Sequence, residues 1–314
     1  MFSLRVWFGG VWRAVCAPVT LLALYALTLV VAAPLGAWLQ RSLPNLDVAH
    51  VAEANDPPAP DIDWLDEVSV RATGPARLLT PAVFGVAAPI GNLDAVLDGR
   101  RPPLPLVAPI AVFFVCWTAA WGGVIARLAN GSRIGARAAL GASRRSVVPL
   151  LVLGIAGGLA YLVLYLTIHA ALFGPLYDWL IAGALERTAF CWRLALAAVF
   201  GGLLLAVGQV LDFAKLALVL GGATVQQAVR DGAALARQRW FTVAVLLLFN
   251  GVGLAVLLAG YAASEFIPGG SVPSLWRIVA GGQALILGRL FLRLLLTGAQ
   301  VELYLRRRAE PAAT

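Results

Sequence analysis

Five long stretches of the sequence contain no aspartate, glutamate, lysine or arginine, and this pattern limits what the chain can fold into. They cover residues 14–40, 102–126, 146–177, 194–211 and 240–264. Each reaches the roughly 18 residues that a helix needs to cross the hydrocarbon core of a bilayer. The mean hydropathy is +0.85 and only 13% of the residues are charged, whereas soluble domains usually carry about 25% charge. The sequence therefore predicts membrane-spanning helices.

A sixth apolar stretch, from about residue 277 to 303, is interrupted by Arg289 and Arg293. If it also crosses, the chain is an all-α polytopic transmembrane helix bundle with six spans and amphipathic interfacial helices, which form a single membrane domain over residues 1–314. The predicted spans cover about residues 14–39, 104–126, 147–172, 192–213, 240–262 and 278–303.

The positions of the charged residues predict the orientation, because lysine and arginine in short loops resist translocation. With six spans and both termini in the cytoplasm, the cytoplasmic segments contain fourteen basic residues and the outer segments eight. Twelve of the sixteen acidic residues fall outside. The arginines at 306–308 reach the cytoplasm only if the sixth stretch crosses, so we expect it to cross. The basic excess is thus a topology signal, and nucleic-acid binding is not needed to explain it.

The largest loop, residues 40–103, is predicted to be a proline-rich, acidic extracytoplasmic element. Within it, "DIDWLDEV" at 61–68 predicts a short helix with an acidic first turn. The apolar stretch 78–97 is broken by Pro81 and Pro89, so we expect it to lie against the membrane surface or the bundle.

Three segments are predicted to form amphipathic helices on the cytoplasmic side. The N-terminal "FSLRVWFGGVWRAV" places Trp7 and Trp12 as interface anchors before the first span. The stretches "NGSRIGARAALGASRRS" and "LGGATVQQAVRDGAALARQRW" follow the second and fourth spans. Each places basic residues along one side of a helix that runs into the next span.

Signatures of soluble enzymes are missing from the sequence. Lys215 is the only lysine and is followed by leucine, which excludes a phosphate-binding GK[ST] loop. The two histidines, His50 and His169, are too few for a multi-histidine metal site, and there is no G-x-S-x-G motif. We predict a non-enzymatic protein without a cofactor; a hydrolase using the acids of "DIDWLDEV" is the weakest alternative.

The two arginines of the sixth span begin a polar stripe on one side of that helix. Successive members are three or four residues apart: Arg289, Arg293, Thr297, Gln300, Tyr304 and Arg307. Counting depth along the spans at about 1.5 Å per residue predicts Asn250 level with Arg289, and Gln209 and Asp212 within reach of Arg293. Two interpretations remain open. The stripe holds helices together, or it forms an anion or lipid-headgroup site involving Arg289, Arg293, Asp212, Gln209, Asn250 and Gln300.

Three longer motifs carry a resemblance to a known group. These are "WGGVIARLANG", "GQVLDFAKLALVLGGATVQQAVRDGAALAR" and "LGRLFLRLLLTGAQVELYLR". The chain resembles an uncharacterised group of bacterial six-span integral membrane proteins. In that group an aspartate–aromatic pair follows the fourth span, here Asp212 and Phe213, and the last span ends in a glutamine followed by an aromatic residue, here Gln300 and Tyr304. The resemblance implies the six-span fold and no particular activity.

A local resemblance concerns "IGARAALGASRRSVVPLLVLG", residues 134–154. This stretch is similar to the cytoplasmic segment of ABC permeases of the lipoprotein-release and macrolide-export type, which implies an ATPase partner. The chain departs from those permeases in its much smaller outer segment, in two additional spans and in Pro149 near the start of the third span.

The leading functional prediction is a non-enzymatic scaffold or accessory subunit of the bacterial cytoplasmic (inner) membrane. Its expected partners are membrane lipids and other membrane proteins. The alternative is a transporter or permease component that handles a lipid-like or anionic substrate beside Arg289 and Arg293.

Overall fold

The computed structural model describes residues 2–42, 87–100, 104–131, 134–265 and 273–309, and within these ranges the regular structure is helical, without a strand. The helices are α1 Phe2–Val15, α2 Pro18–Ser42, α3 Ala87–Leu97, α4 Leu104–Asn130, α5 Ala136–Leu164, α6 Tyr177–Ile181, α7 Glu186–Gly221, α8 Val225–Gln238, α9 Trp240–Glu265 and α10 Pro273–Ala309. Two π-helical turns, Tyr165–His169 and Leu172–Leu176, join α5 to α6.

Six helical stretches are long and apolar enough to cross a membrane: Pro18–Trp38, Leu106–Asn130, Ala136–Ile181, Glu186–Gly221, Trp240–Ser264 and Val279–Ala309. Each overlaps one predicted span, including the one that contains the two arginines. The predicted fold class, an all-α polytopic bundle, is confirmed. The protein is a multi-pass membrane protein.

Hydrogen bonds join several helices at one end of the bundle. Arg13 binds Glu302 and the carbonyls of Leu128 and Ala129, and Arg308 donates to the carbonyl of Leu220 at 3.0 Å. These contacts gather α1 and the ends of α4, α7 and α10 at one end, which we call the basic end. The opposite end, called the far end, holds α3 and the end of α5.

Helix α1 packs into the bundle at the basic end. It stops before Pro18, so the first span begins there and not at residue 14. Gly10 lies so close to α10 that an added Cβ would be 2.5 Å from the backbone nitrogen of Ala299. Trp12 is 71% exposed, as expected of an anchor. Trp7 is partly buried and packs against Phe249, with ring centroids 5.3 Å apart.

Helix α8 is amphipathic, as its sequence predicts, but it ends at Gln238 and is separate from α9, which begins at Trp240. Thr224 accepts a hydrogen bond from the Gln227 backbone, and the Gln227 side chain returns one to the Thr224 backbone, which caps the N-terminus. The helix turns back along α7. A Cβ at Gly232 would be 2.6 Å from the carbonyl oxygen of Val210, and this contact requires glycine.

Helix α7 extends eight residues beyond the predicted end of its span. Its last turns bury Ala214, Ala217 and Leu218 against Leu150 and Ala228. This packing continues the helix until Gly222, where a positive φ of 65° ends it.

The amphipathic stretch after the second span runs into the third span, as predicted. It forms the first turns of α5, which continues through Pro149. The predicted acidic helix at 61–68 lies outside the described residues, as does most of the loop 40–103.

Candidate functional site

The centre of the site is a carboxylate that two basic side chains share. Asp212 on α7 accepts a hydrogen bond from Arg293 on α10 at 3.1 Å and from Lys215, one turn along α7, at 2.8 Å. The side chain of Asp212 is only 9% exposed. A buried charge is costly unless it is paired, and here the two cations face one anion. In formal charges, the cluster therefore has one positive charge in excess.

A second polar contact lies two turns along α10. Gln300 donates from Nε2 to Oε1 of Gln209 on α7 at 2.8 Å, and both side chains are buried. Together with the Arg293–Asp212 pair, it joins α7 to α10 through two polar contacts on one side of each helix. Of the two residues predicted within reach of Arg293, Asp212 contacts it, whereas Gln209 contacts Gln300.

Arg293 remains accessible despite its ion pair. Its guanidinium lies 5.6 Å from the ring centroid of Trp121 on α4, a cation–π distance. Its side chain is still 39% exposed. The arginine is therefore held on two sides, while part of its side chain stays uncovered.

A cavity of about 700 Å³ opens beside this cluster, between α4, α5, α7 and α10. Arg293, Asp212, Lys215 and Gln209 lie at its basic end. Apart from Thr118, the walls are apolar, aromatic or glycine, namely Phe114, Trp117, Trp121, Leu150, Leu153, Gly154, Gly157, Gly158, Tyr161, Leu204, Leu205, Gly208 and Leu211. The volume is in the range of known small-molecule sites.

The far end of the cavity is bordered by Val96 of α3 and by Tyr165. The Tyr165 hydroxyl donates to the carbonyl of Val96, and Nε2 of His169 lies 2.9 Å from the carbonyl oxygen of Leu97. The apolar stretch of the large loop therefore lies against the bundle over its described part.

Asp98, the residue after α3, also holds this helix against the bundle, and it lies outside the spans. It forms ion pairs with Arg193 at 3.0 Å and with Arg100 at 2.9 Å. Partial burial opposes ionisation of the carboxyl, but the hydrogen bonds from Arg193 and Arg100 outweigh it and lower the pKa of Asp98 below its ordinary value. Asp98 is therefore charged at neutral pH, and both ion pairs are present.

Two predicted site residues lie apart from the cluster. Arg289 is exposed and does not line the cavity. The expectation that Asn250 lies level with Arg289 is wrong, because Gly253 faces Leu292 and Gly288 faces Leu257. This pairing puts Asn250 about two turns closer to the basic end. Its Oδ1 is buried and has no hydrogen-bond donor within the described ranges.

The sequence reasoning missed three residues of the site. Lys215 could have been predicted, since a lysine three residues after an aspartate lies on the same side of a helix. Trp121 and Gly158 could not, because a tryptophan or a glycine is common in membrane spans. Only the packing of α4 and α5 against α7 places them on the cavity wall.

The arrangement suits the binding of an anion with an apolar body. In the part of the chain that the structure describes, no three His, Cys, Asp or Glu side chains come together as a metal site requires. Fold and site together define a multi-pass helical membrane protein with a charged cluster at one end of an intramembrane cavity. Comparison with protein-family models, with curated proteins and with solved structures finds no match.

Proposed function

We propose that the protein binds a lipid-like anion in its intramembrane cavity and serves as a transporter or permease component. One observation carries the proposal. Arg293 is paired with Asp212 and yet 39% exposed, and it lines a cavity whose walls beyond the charged cluster are mostly apolar. An amphiphile could place its negative headgroup against Arg293 and Lys215 and its apolar chain along the aromatic and glycine wall.

The scaffold interpretation is the second candidate, and a different observation favours it. The Gln300–Gln209 bond and the Arg13–Glu302 pair join helices distant in sequence, at 2.8 Å in both cases. Such contacts hold a bundle together without any ligand. A scaffold needs these bonds, but it needs neither the cavity nor the excess positive charge.

Orientation, membrane and partners are part of the proposal. The positive-inside rule supports a basic end in the cytoplasm of a bacterial inner membrane. The resemblance of residues 134–154 to the permeases supports an ATPase as the driving partner. The permease-like stretch forms the start of α5 at the basic end, where Arg137 and Arg144 are exposed. Surrounding lipids are the proposed source of the ligand.

Filling the cavity tests the proposal. At Gly158, on the cavity wall, an added Cβ meets nothing within 4 Å, so Gly158→Phe should fold and occupy the space. Gly251 on α9 is equally open and does not line the cavity, which makes Gly251→Phe the matched control. We expect native mass spectrometry to show phosphatidylglycerol retained by the wild type and by Gly251→Phe, and retention about tenfold weaker in Gly158→Phe.

Phosphatidylcholine, which has no net charge, serves as the comparison lipid at the same concentration. Equal retention of the two lipids, or equal retention by both variants, would count against a charged site in this cavity. Either result would favour the scaffold.

A further inference from the structure

Arg289 is a charged residue in an apolar span for which the described residues provide no partner. It is exposed, and no hydrogen bond or ion pair joins its side chain to any part of the chain that the structure describes. Charge at the centre of a bilayer costs about 2.5–3.5 kcal/mol on insertion scales. An arginine in this position requires an anion from elsewhere.

The depth of Arg289 limits where that anion can come from. It lies ten residues, about 15 Å, inside the span Val279–Ala309. Arginines that reach the headgroup region unaided lie near the ends of helices. The guanidinium of Arg289 is thus far from the ordinary headgroup layer at either end.

The described part of a second copy of the chain does not offer the missing charge either. Among the residues described, Asp212 is the acidic side chain deepest in the bundle, and Arg293 and Lys215 already engage it. Of the other described acids, Asp94, Asp98, Asp178 and Glu186 lie at the far end. Glu302 is paired with Arg13 and Arg306, and Asp231 lies on α8, the amphipathic helix of the basic end. A mobile anion remains as the partner.

The position of Arg289 relative to Arg293 indicates how such an anion would arrive. The two arginines are one turn apart on α10, separated by about 6 Å along the axis and about 40° around it. Arg293 is nearer the basic end and lines the cavity, whereas Arg289 lies one helical turn towards the far end. A headgroup that leaves Arg293 in that direction meets Arg289 next.

We infer that Arg289 is a second, transient binding position for an anionic lipid headgroup as it crosses the middle of the membrane. The inference rests on the proposed binding of such a lipid at Arg293. Arg293 binds the headgroup in the state described, and Arg289 compensates its charge at the midpoint, where no other described side chain does. The substrate class is a lipid whose anionic head moves along α10.

Two measurements on the same variants test this. Binding is measured as phosphatidylglycerol retained in native mass spectrometry. Translocation is measured in vesicles of phosphatidylcholine that contain the purified protein, as the accessibility of fluorescently labelled phosphatidylglycerol to an impermeant quencher. The variants are Arg289→Leu, Arg289→Lys and Arg293→Leu. The control is Arg187→Leu, which removes an exposed arginine at the start of α7, away from the cavity.

We expect Arg289→Leu to bind phosphatidylglycerol within about twofold of the wild type and to translocate it at least about tenfold more slowly, equivalent to 1.4 kcal/mol. Arg289→Lys, which keeps the charge, should restore much of the rate. Arg293→Leu should lose both binding and translocation. Arg187→Leu should behave as the wild type.

Each other outcome overturns a defined part of the argument. If the wild type retains no phosphatidylglycerol, the proposed function fails. If the wild type binds the lipid but does not translocate it, or if Arg289→Leu translocates as fast as Arg187→Leu, the proposed role of Arg289 in translocation is wrong. The proposed lipid binding at Arg293 is then unaffected. If Arg289→Leu loses binding as well, Arg289 belongs to the binding site and is not a later step.

Discussion

At the scale of single residues, the contact between Gln209 and Gln300 shows how a polar pair behaves inside a membrane bundle. Both amides are buried, Gln300 donates to Gln209, and Gln300 also hydrogen-bonds Asp212. Removing either glutamine leaves a buried amide group of the other without its partner in this bond, which costs about 1–3 kcal/mol. Removing both leaves no unsatisfied amide.

We therefore predict that Gln209→Leu and Gln300→Leu each lower the free energy of unfolding by about 1–3 kcal/mol. The double variant should lose less than the sum of the two. Unfolding by sodium dodecyl sulfate, followed by circular dichroism, gives the coupling energy. If the losses are simply additive, the two side chains do not depend on each other.

The residues of this site also show what the sequence could reveal. The three- and four-residue spacing of the stripe on α10 is a local property of one helix, so it correctly placed Arg293 and Gln300 on one side. The position of Asn250 depended on how α9 slides against α10. The close contacts at Gly253 and Gly288 set the register of α9 against α10. This register cannot be predicted from the residue spacing within either helix.

At the scale of elements, α8 is held against α7 by a contact that only glycine permits. A side chain at Gly232 would meet the Val210 carbonyl oxygen at 2.6 Å and the Ala214 backbone nitrogen at 2.9 Å. Backbone atoms cannot move aside as a flexible side chain can. Any larger residue must push the two helices apart.

Gly232→Leu should therefore destabilise the protein by about 1–3 kcal/mol, as overpacking does. It should also speed hydrogen exchange of the α8 amides. Ala233→Leu, one residue along and exposed, is the matched control and should leave both quantities unchanged. The same exchange rates in the two variants would mean that α8 does not depend on this contact.

Helix ends were harder to predict than helix centres, because the ends depend on packing between helices distant in the sequence. Hydrophobicity ends where the bilayer ends, but α7 continues to Gly221 because α8 and the start of α5 cover its last turns. Helix α1, predicted to lie at the interface, buries Val6 and Ala14 in the main core. Such packing depends on elements distant in the sequence.

At the scale of the whole molecule, the number of spans could be predicted from the sequence in two steps. Five spans follow from uncharged runs long enough to cross a bilayer, and the sixth follows from the arginines at 306–308, which reach the cytoplasm only if it crosses. The cavity could not be predicted in the same way, because it arises where α4, α5, α7 and α10 fail to close on one another. Its charged end was foreseeable in part, through Arg293 and Asp212, whereas its aromatic wall was not.

Orientation is the remaining whole-molecule prediction, and labelling of single cysteines checks it. In a chain with Cys16, Cys116 and Cys191 replaced by alanine, two exposed alanines serve as matched sites: Ala138 at the basic end and Ala182 at the far end. Arginine and lysine resist translocation, so the basic end should face the cytoplasm. We expect an impermeant maleimide to label Ala182→Cys in intact spheroplasts and Ala138→Cys only after permeabilisation. Labelling of Ala138→Cys before permeabilisation would contradict this orientation, and it would reverse the direction in which a headgroup passes from Arg293 to Arg289.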